Sequence, residues 1–155
     1  MRRGIAALRT RCAGAGREDG NAMVEFIGAA VLLLLPVMYI GIALARLQAG
    51  VFATEAAARE IGRVVVTSAD ASERAALSDA ALRLALDDQG FDPDGAEVAV
   101  TCATATCPAA GGEVTVRVVY PVELPFVPRF VGEAVPLSVP VEAVHVAPVG
   151  DHVVP

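Results

Sequence analysis

A run of twenty residues without a charged side chain, Phe26–Ala45, sets the strongest limit on how this chain can fold. As an α-helix rising about 1.5 Å per residue, the run is roughly 30 Å long, which matches the hydrocarbon core of a bilayer. It therefore predicts a single transmembrane helix, which we place at residues 21–46. The sequence Ala43-Leu44-Ala45 imitates a signal-peptidase site, but the run is longer than the apolar part of a usual signal peptide.

The distribution of charge predicts how this helix is oriented. All basic residues are Arg, and five of the twelve precede the apolar run, where a cytoplasmic flank favours them. Three Arg residues beyond the run weaken this signal: Arg46, Arg59 and Arg63. We expect a protein of the cell membrane with a cytoplasmic N-terminus and an extracytoplasmic head at residues 47–155. The chain after residue 20 has a net charge of −9, since the whole is −6 and residues 1–20 are +3, so we expect no nucleic acid partner.

Good helix formers continue past the apolar run. The stretch RLQAGVFATEAAAREIGRVVV includes Glu55 and Arg59, which are four residues apart and can pair on one helix face. One helix is therefore predicted from about Ala22 to about Arg63, ending near Gly62. Only its first half lies in lipid in this interpretation, and the second half forms a stalk.

A second, shorter helix is predicted from about Ser72 to Gln89. Asp70 and Glu73 have the spacing of a capping box at its start, and Gly90 can end it. Its apolar residues lie on one side and close to it: Leu77, Ala81, Leu82, Leu84 and Leu86.

The apolar period then changes to two, which is typical of strands with one buried face. Three such segments, EVAVTC, EVTVRVVY and LSVPVEAVHV, predict a small antiparallel sheet. Pro140 cannot donate a backbone hydrogen bond, so the last strand is expected at an edge or with a bulge. The fold class is therefore α+β, and only the two helices can cover the sheet. The expected buried faces are Val98, Val100 and Cys102; Val114, Val116, Val118 and Tyr120; and Leu137, Val139, Val141 and Ala143.

Two of the three cysteines, Cys102 and Cys107, lie close together in TCATATCP. Outside the cytoplasm they can form a disulfide, and closing so short a loop contributes about 2 kcal/mol on the loop-entropy model. A pair of free thiols is the alternative. A zinc site is a further one, but it needs more ligands, and only His145 and His152 are available.

The most informative motif is REDGNAMVEF, which places an acidic residue, Glu25, at the start of the apolar run. Glu25 lies in the first turn, where the helix dipole tolerates an anion, but tolerance does not explain why the position is acidic. A basic leader, Gly20, and Glu25 five residues later resemble the N-terminus of a type IV prepilin. The stretch GNAMVEF and the following span are most similar to the TadE-like branch of the tight-adherence (Tad/Flp) pilus system. Its members are small single-span pseudopilins with Val-Glu-Phe before the apolar run.

The resemblance implies a role for each residue of this motif. A prepilin peptidase would cut between Gly20 and Asn21, removing residues 1–20 and leaving Asn21, often methylated in the family, as the new N-terminus. Glu25, followed by Phe26, would then pair with the free amine of a neighbouring subunit and set the register between helices. The chain departs from many pilins in having Asn rather than Phe at position 21. Many leaders have basic residues before the cut, where this chain has Glu18 and Asp19.

The function implied is structural: a minor pilin or pseudopilin that acts in assembly of a Flp-type pilus or a related secretion machinery. Its implied partners are the prepilin peptidase, other pilins and pseudopilins, the Tad assembly platform and the membrane, and we expect no cofactor and no enzymatic activity. Two other functions stay open, an uncut single-pass binding module and a small secreted domain released by signal peptidase. Pro36, in the middle of the run, predicts a bend in the helix.

Overall fold

The computed structural model describes residues 15–103, 107–126 and 137–150, with side chains from Ala22 onward. The expected α+β class is confirmed, with a long apolar N-terminal helix, a second helix and an antiparallel sheet of three strands. The chain divides into two compact units, Met1–Ile42 and Ala43–Pro155. The elements are helix α1 (Ala15–Thr67), helix α2 (Ala71–Asp87), a short 3₁₀ turn (Pro93–Gly95), and strands β1 (Glu97–Cys102), β2 (Glu113–Glu123) and β3 (Ser138–Pro148).

Helix α1 is longer at both ends than the sequence predicts. It begins at Ala15 rather than near Ala22, and it ends at Thr67 rather than near Gly62. Gly62 does not stop the helix because it has another role, which is to let the sheet approach closely. A Cβ atom at Gly62 would lie 2.9 Å from Cδ2 of the His145 ring. The prediction that the helix ends near Gly62 is therefore wrong.

The start of α2 confirms Asp70 as the cap residue. One Asp70 carboxylate oxygen accepts hydrogen bonds from the backbone amides of Ser72 (2.8 Å) and Glu73 (2.9 Å). The Ser72 hydroxyl also donates to it, and this bond, followed by the amide bonds, lowers the pKa of Asp70. After the helix, Gly90 adopts the left-handed conformation with φ of +68°, as expected of a stop.

The apolar side of α2 is divided between two environments. Leu86 is fully buried, and Ala81, Leu82 and Ala85 pack against the core, whereas Leu77 and Leu84 remain exposed. Only the half of this side that faces the sheet therefore contributes to the core.

The sheet has the order β1–β2–β3, so β3 is an edge strand, as Pro140 predicted. Pro140 pairs with Pro121 of β2, a strand that extends three residues beyond the predicted segment EVTVRVVY. The expected inward alternation holds for β2 and, in β3, for Val141 and Ala143, but it is wrong for Val139, which is exposed. It fails in β1, where Val98 and Val100 are exposed because the core draws its residues mainly from the other two strands.

The core lies between the second half of α1, α2 and one face of β2 and β3, as expected. One cluster joins the small side chains of Ala57 and Ala58 and the larger Ile61 to the valines of β2. A second cluster contains Phe91 and Tyr120, whose rings meet edge to face at 5.2 Å between centroids. Burial in this cluster raises the pKa of the Tyr120 hydroxyl.

Cys102 and Cys107 form a disulfide, with their Cα atoms 5.7 Å apart. This separation is within the usual range for disulfides. Arg74 of α2 reaches the same loop, and its Nη1 donates to the carbonyl oxygen of Cys107 at 3.4 Å. The bridge therefore closes a loop that begins at the end of β1 and contacts α2.

Candidate functional site

The predicted cut site lies in the first turns of α1. Gly20 and Asn21 both have helical backbone, continuous with the rest of the helix. The bond between them is therefore part of a hydrogen-bonded helix. A peptidase that binds its substrate in an extended form must first unwind this turn.

Glu25 lies one turn after Asn21, about 6 Å farther along the helix axis. Its side chain is exposed, as is Phe26 beside it, which has 74% of its surface accessible. Among the residues whose side chains the structure describes, Glu25 has no ionic or hydrogen-bonding partner.

The apolar run presents its side chains outward on every face of the helix. All the large apolar residues from Met23 to Leu44 are exposed. The helix that contains them is long and apolar enough to cross a membrane. Monomeric soluble proteins rarely expose apolar surfaces of this extent, so the run needs lipid or another protein around it.

A proline and a glycine lie within this exposed apolar surface. Pro36 lies inside α1, and the helix continues through it. Gly41 has open space where a Cβ atom would lie. Farther along, Ala53 and Ala57 are fully buried against the protein's own sheet. Small residues at a spacing of four thus serve packing within the chain in the second half of α1.

Arg46, the first charged residue after the apolar run, is bound to the end of α2. Its Nη2 donates to the carbonyl oxygen of Gly90 at 2.9 Å, and its Nη1 to that of Gln89 at 3.3 Å. Its guanidinium also lies 4.0 Å from the centroid of the Phe91 ring. A cation at a helix C-terminus and over an aromatic face is favourable on both counts. This role was missed from the sequence, although an Arg at the end of an apolar run needs solvent or a partner.

The surface of the second unit holds a groove of about 580 Å³ between α1 and α2. Its apolar lining includes Ala56, Leu77 and Leu84, and it also contains charged residues such as Arg59 and Asp88. In the ranges that the structure describes, no group of three His, Cys, Asp or Glu side chains could hold a metal ion.

No protein-family description, curated protein or solved structure matches this chain. The candidate site is therefore defined by the positions of its residues along α1. A helical Gly20–Asn21 bond is followed by an exposed carboxylate at Glu25 and an apolar surface that is exposed throughout.

Proposed function

We propose that this chain is a TadE-like pseudopilin, or minor pilin, that acts structurally in assembly of a Flp-type pilus or a related secretion machinery. The observation that carries the proposal is the exposed Glu25 directly before an apolar run whose large side chains are all exposed. A helix that only anchors a head has no need for an acid at this position. One that packs against copies or relatives of itself can use the acid to choose a register.

The pairing partner in this proposal is the α-ammonium group of Asn21 on a neighbouring subunit. Within one chain the two groups are separated by a turn of helix, whereas a neighbour shifted along its axis brings its amine beside Glu25. Two unit charges 4 Å apart attract by about 4 kcal/mol at an effective dielectric constant of 20, before desolvation is subtracted. Because desolvation offsets much of this, the pair stabilises one register more than it stabilises the assembly as a whole.

Processing creates this amine. Cleavage after Gly20 by a prepilin peptidase removes residues 1–20 and gives Asn21 a free amino group. Glycine in a helix interior is about 1 kcal/mol less favourable than alanine. Gly20 therefore weakens the helical turn that the peptidase has to open, and it leaves room for the backbone in a narrow site.

The proposed location is the cell membrane, with α1 crossing it once through residues 21–46. The five Arg residues before the run favour a cytoplasmic N-terminus, where the peptidase acts. The disulfide between Cys102 and Cys107 fits a head in an oxidising compartment outside the cytoplasm. The partners in this proposal are the prepilin peptidase, other pilins and pseudopilins, and the Tad assembly platform.

The intact mass of the protein extracted from membranes of its native cells tests this function. We expect a polypeptide that begins at Asn21, about 2 kDa lighter than the 15.9 kDa chain, with or without a methyl group. A polypeptide that begins at Met1 would instead support an uncut anchored module. One that begins at Arg46, about 5 kDa lighter than the full chain, would support release by signal peptidase.

A further inference from the structure

The β2–β3 hairpin runs alongside α1 toward the end of the apolar run. Val116 pairs with His145, whose ring lies against Gly62, and six residues later Val122 lies against Gly50. The six strand residues from Val116 to Val122 cover about 20 Å, and the twelve helix residues from Gly62 back to Gly50 cover about 18 Å. Because these lengths are nearly equal, the strand runs along the helix. As β2 proceeds, it therefore approaches the residues of α1 that follow the apolar run.

The hairpin continues past the last strand residue of β2. The Leu124 amide donates to the carbonyl oxygen of Leu137 at 3.1 Å, which extends the ladder beyond Glu123. Leu124 is two residues after Val122, or about 7 Å farther, and this distance corresponds to about five residues of helix before Gly50. The first residues of the connection to β3, Leu124–Phe126 (the tip), thus begin at the level of Ala45, where the apolar run ends.

A shared cavity gives independent evidence for this level. Arg46 and Glu123 both line a cavity of about 420 Å³ together with Tyr120 and Pro121. The residues that follow Glu123 therefore begin at about the position of Arg46 along the axis of α1. Arg46 is the first charged residue after the run.

The tip itself exposes an apolar side chain. Phe126 has 79% of its surface accessible, and its backbone has a positive φ of 61°, which is uncommon for an aromatic residue. Leu44 of α1, near the same level, is 55% accessible. Apolar groups from two separate elements are thus exposed around the end of the apolar run.

We infer that the hairpin tip, Leu124–Phe126, inserts into the lipid interface beside α1 and gives the head a second contact with the bilayer. The inference rests on the proposed membrane crossing, which puts the bilayer boundary near Ala45. At that depth the Phe126 ring leaves water for the acyl-chain boundary, whereas Glu123 stays among the hydrated headgroups. The Gly90 carbonyl and the Phe91 ring hold the Arg46 guanidinium at this level.

The chain has no Trp, so a single introduced Trp reports its own surroundings by fluorescence. We would place the full chain in phosphatidylcholine–phosphatidylglycerol vesicles whose acyl chains carry bromine, a quencher confined to the hydrocarbon region. The test variant is Phe126→Trp. The water control is Val144→Trp, because Val144 is 57% exposed and lies next to His145, roughly 25 Å from the boundary along the helix. The lipid control is Leu33→Trp, within the apolar run.

We expect Phe126→Trp to emit at shorter wavelength than Val144→Trp and to lose most of its emission in brominated vesicles. Val144→Trp should keep its emission there and be quenched by aqueous iodide. If Phe126→Trp behaves like Val144→Trp while Leu33→Trp is quenched by bromine, the tip does not enter lipid although the crossing stands. If Leu33→Trp is also unquenched by bromine, the proposed crossing fails and the inference fails with it.

Discussion

Replacing Glu25 by Leu is expected to abolish incorporation of this protein into pili or pseudopili while leaving cleavage after Gly20 intact. The substitution removes the carboxylate that pairs with a neighbour's amine but keeps the apolar, helical character of the segment. Losing a register preference of only about 1.4 kcal/mol already lowers the relevant equilibrium about tenfold. The measurement is the amount of protein in sheared fibres relative to the membrane fraction.

Two further substitutions at this position separate charge from size. Glu25→Gln keeps the size of the side chain and removes its charge, so we expect it to assemble as poorly as Glu25→Leu. Glu25→Asp keeps the charge on a shorter side chain and should retain part of the assembly. Normal assembly of Glu25→Gln would show that the charge does not set the register, and the pairing account would then be wrong.

Replacing Gly50 by Val is expected to destabilise the head by about 3 kcal/mol or more. A Cβ atom at Gly50 would overlap Cγ2 of Val122, and it would also lie 3.6 Å from both Phe91 and Val141. All three of these side chains are buried, so none can move away without disturbing the core. The measurement is the free energy of unfolding of the full chain in detergent, followed in urea by the far-ultraviolet signal.

Whether the smaller change, Gly50→Ala, raises or lowers the free energy of unfolding depends on two opposing effects. Alanine is favoured over glycine in a helix by about 1 kcal/mol, whereas overpacking costs about 1–3 kcal/mol. We expect overpacking to win, because Val122 is only 1% accessible. Gly41→Ala is the matched control, since a Cβ atom there meets nothing within 4 Å. If Gly50→Ala and Gly41→Ala have equal effects, the tight contact between α1 and β2 does not exist.

The features that could be predicted from the sequence are those encoded by local patterns. The period of two in EVTVRVVY fixes the inward face of β2, and the Asp70 side chain fixes the start of α2. Both depend on residues that are neighbours in the chain. For the same reason Gly90 was correctly interpreted as a stop, since its positive φ is a property of the local backbone.

Features that arise from contacts distant in sequence could not be predicted. Gly62 looks like a helix breaker until the strand that packs against it is known, and the close contact at Gly50 is equally invisible in the sequence. The hydrogen bonds of Arg46 depend on residues more than forty positions away, at the end of α2. The exposure of Val98 depends on how far the helices extend across the sheet, and alternation alone cannot indicate this.

The candidate site divides in the same way. The structure describes a helical Gly20–Asn21 bond and an exposed Glu25, but the roles of cut site and register pair come from the resemblance. Those roles concern a peptidase and a neighbouring subunit. They therefore stay predictions, which experiments with these partners test.

The most direct test of the central claim is whether removal of the leader depends on Gly20. The full chain and its variants would be expressed in membranes with and without the prepilin peptidase of the native cells, and their intact masses measured. We expect the unaltered chain to begin at Asn21 only when the peptidase is present. Gly20→Leu should keep its first 20 residues in both cases, whereas Gly16→Leu, the same change within the leader, should be cut normally. Cleavage of Gly20→Leu at the same bond, or a full-length chain in the presence of the peptidase, would contradict the account.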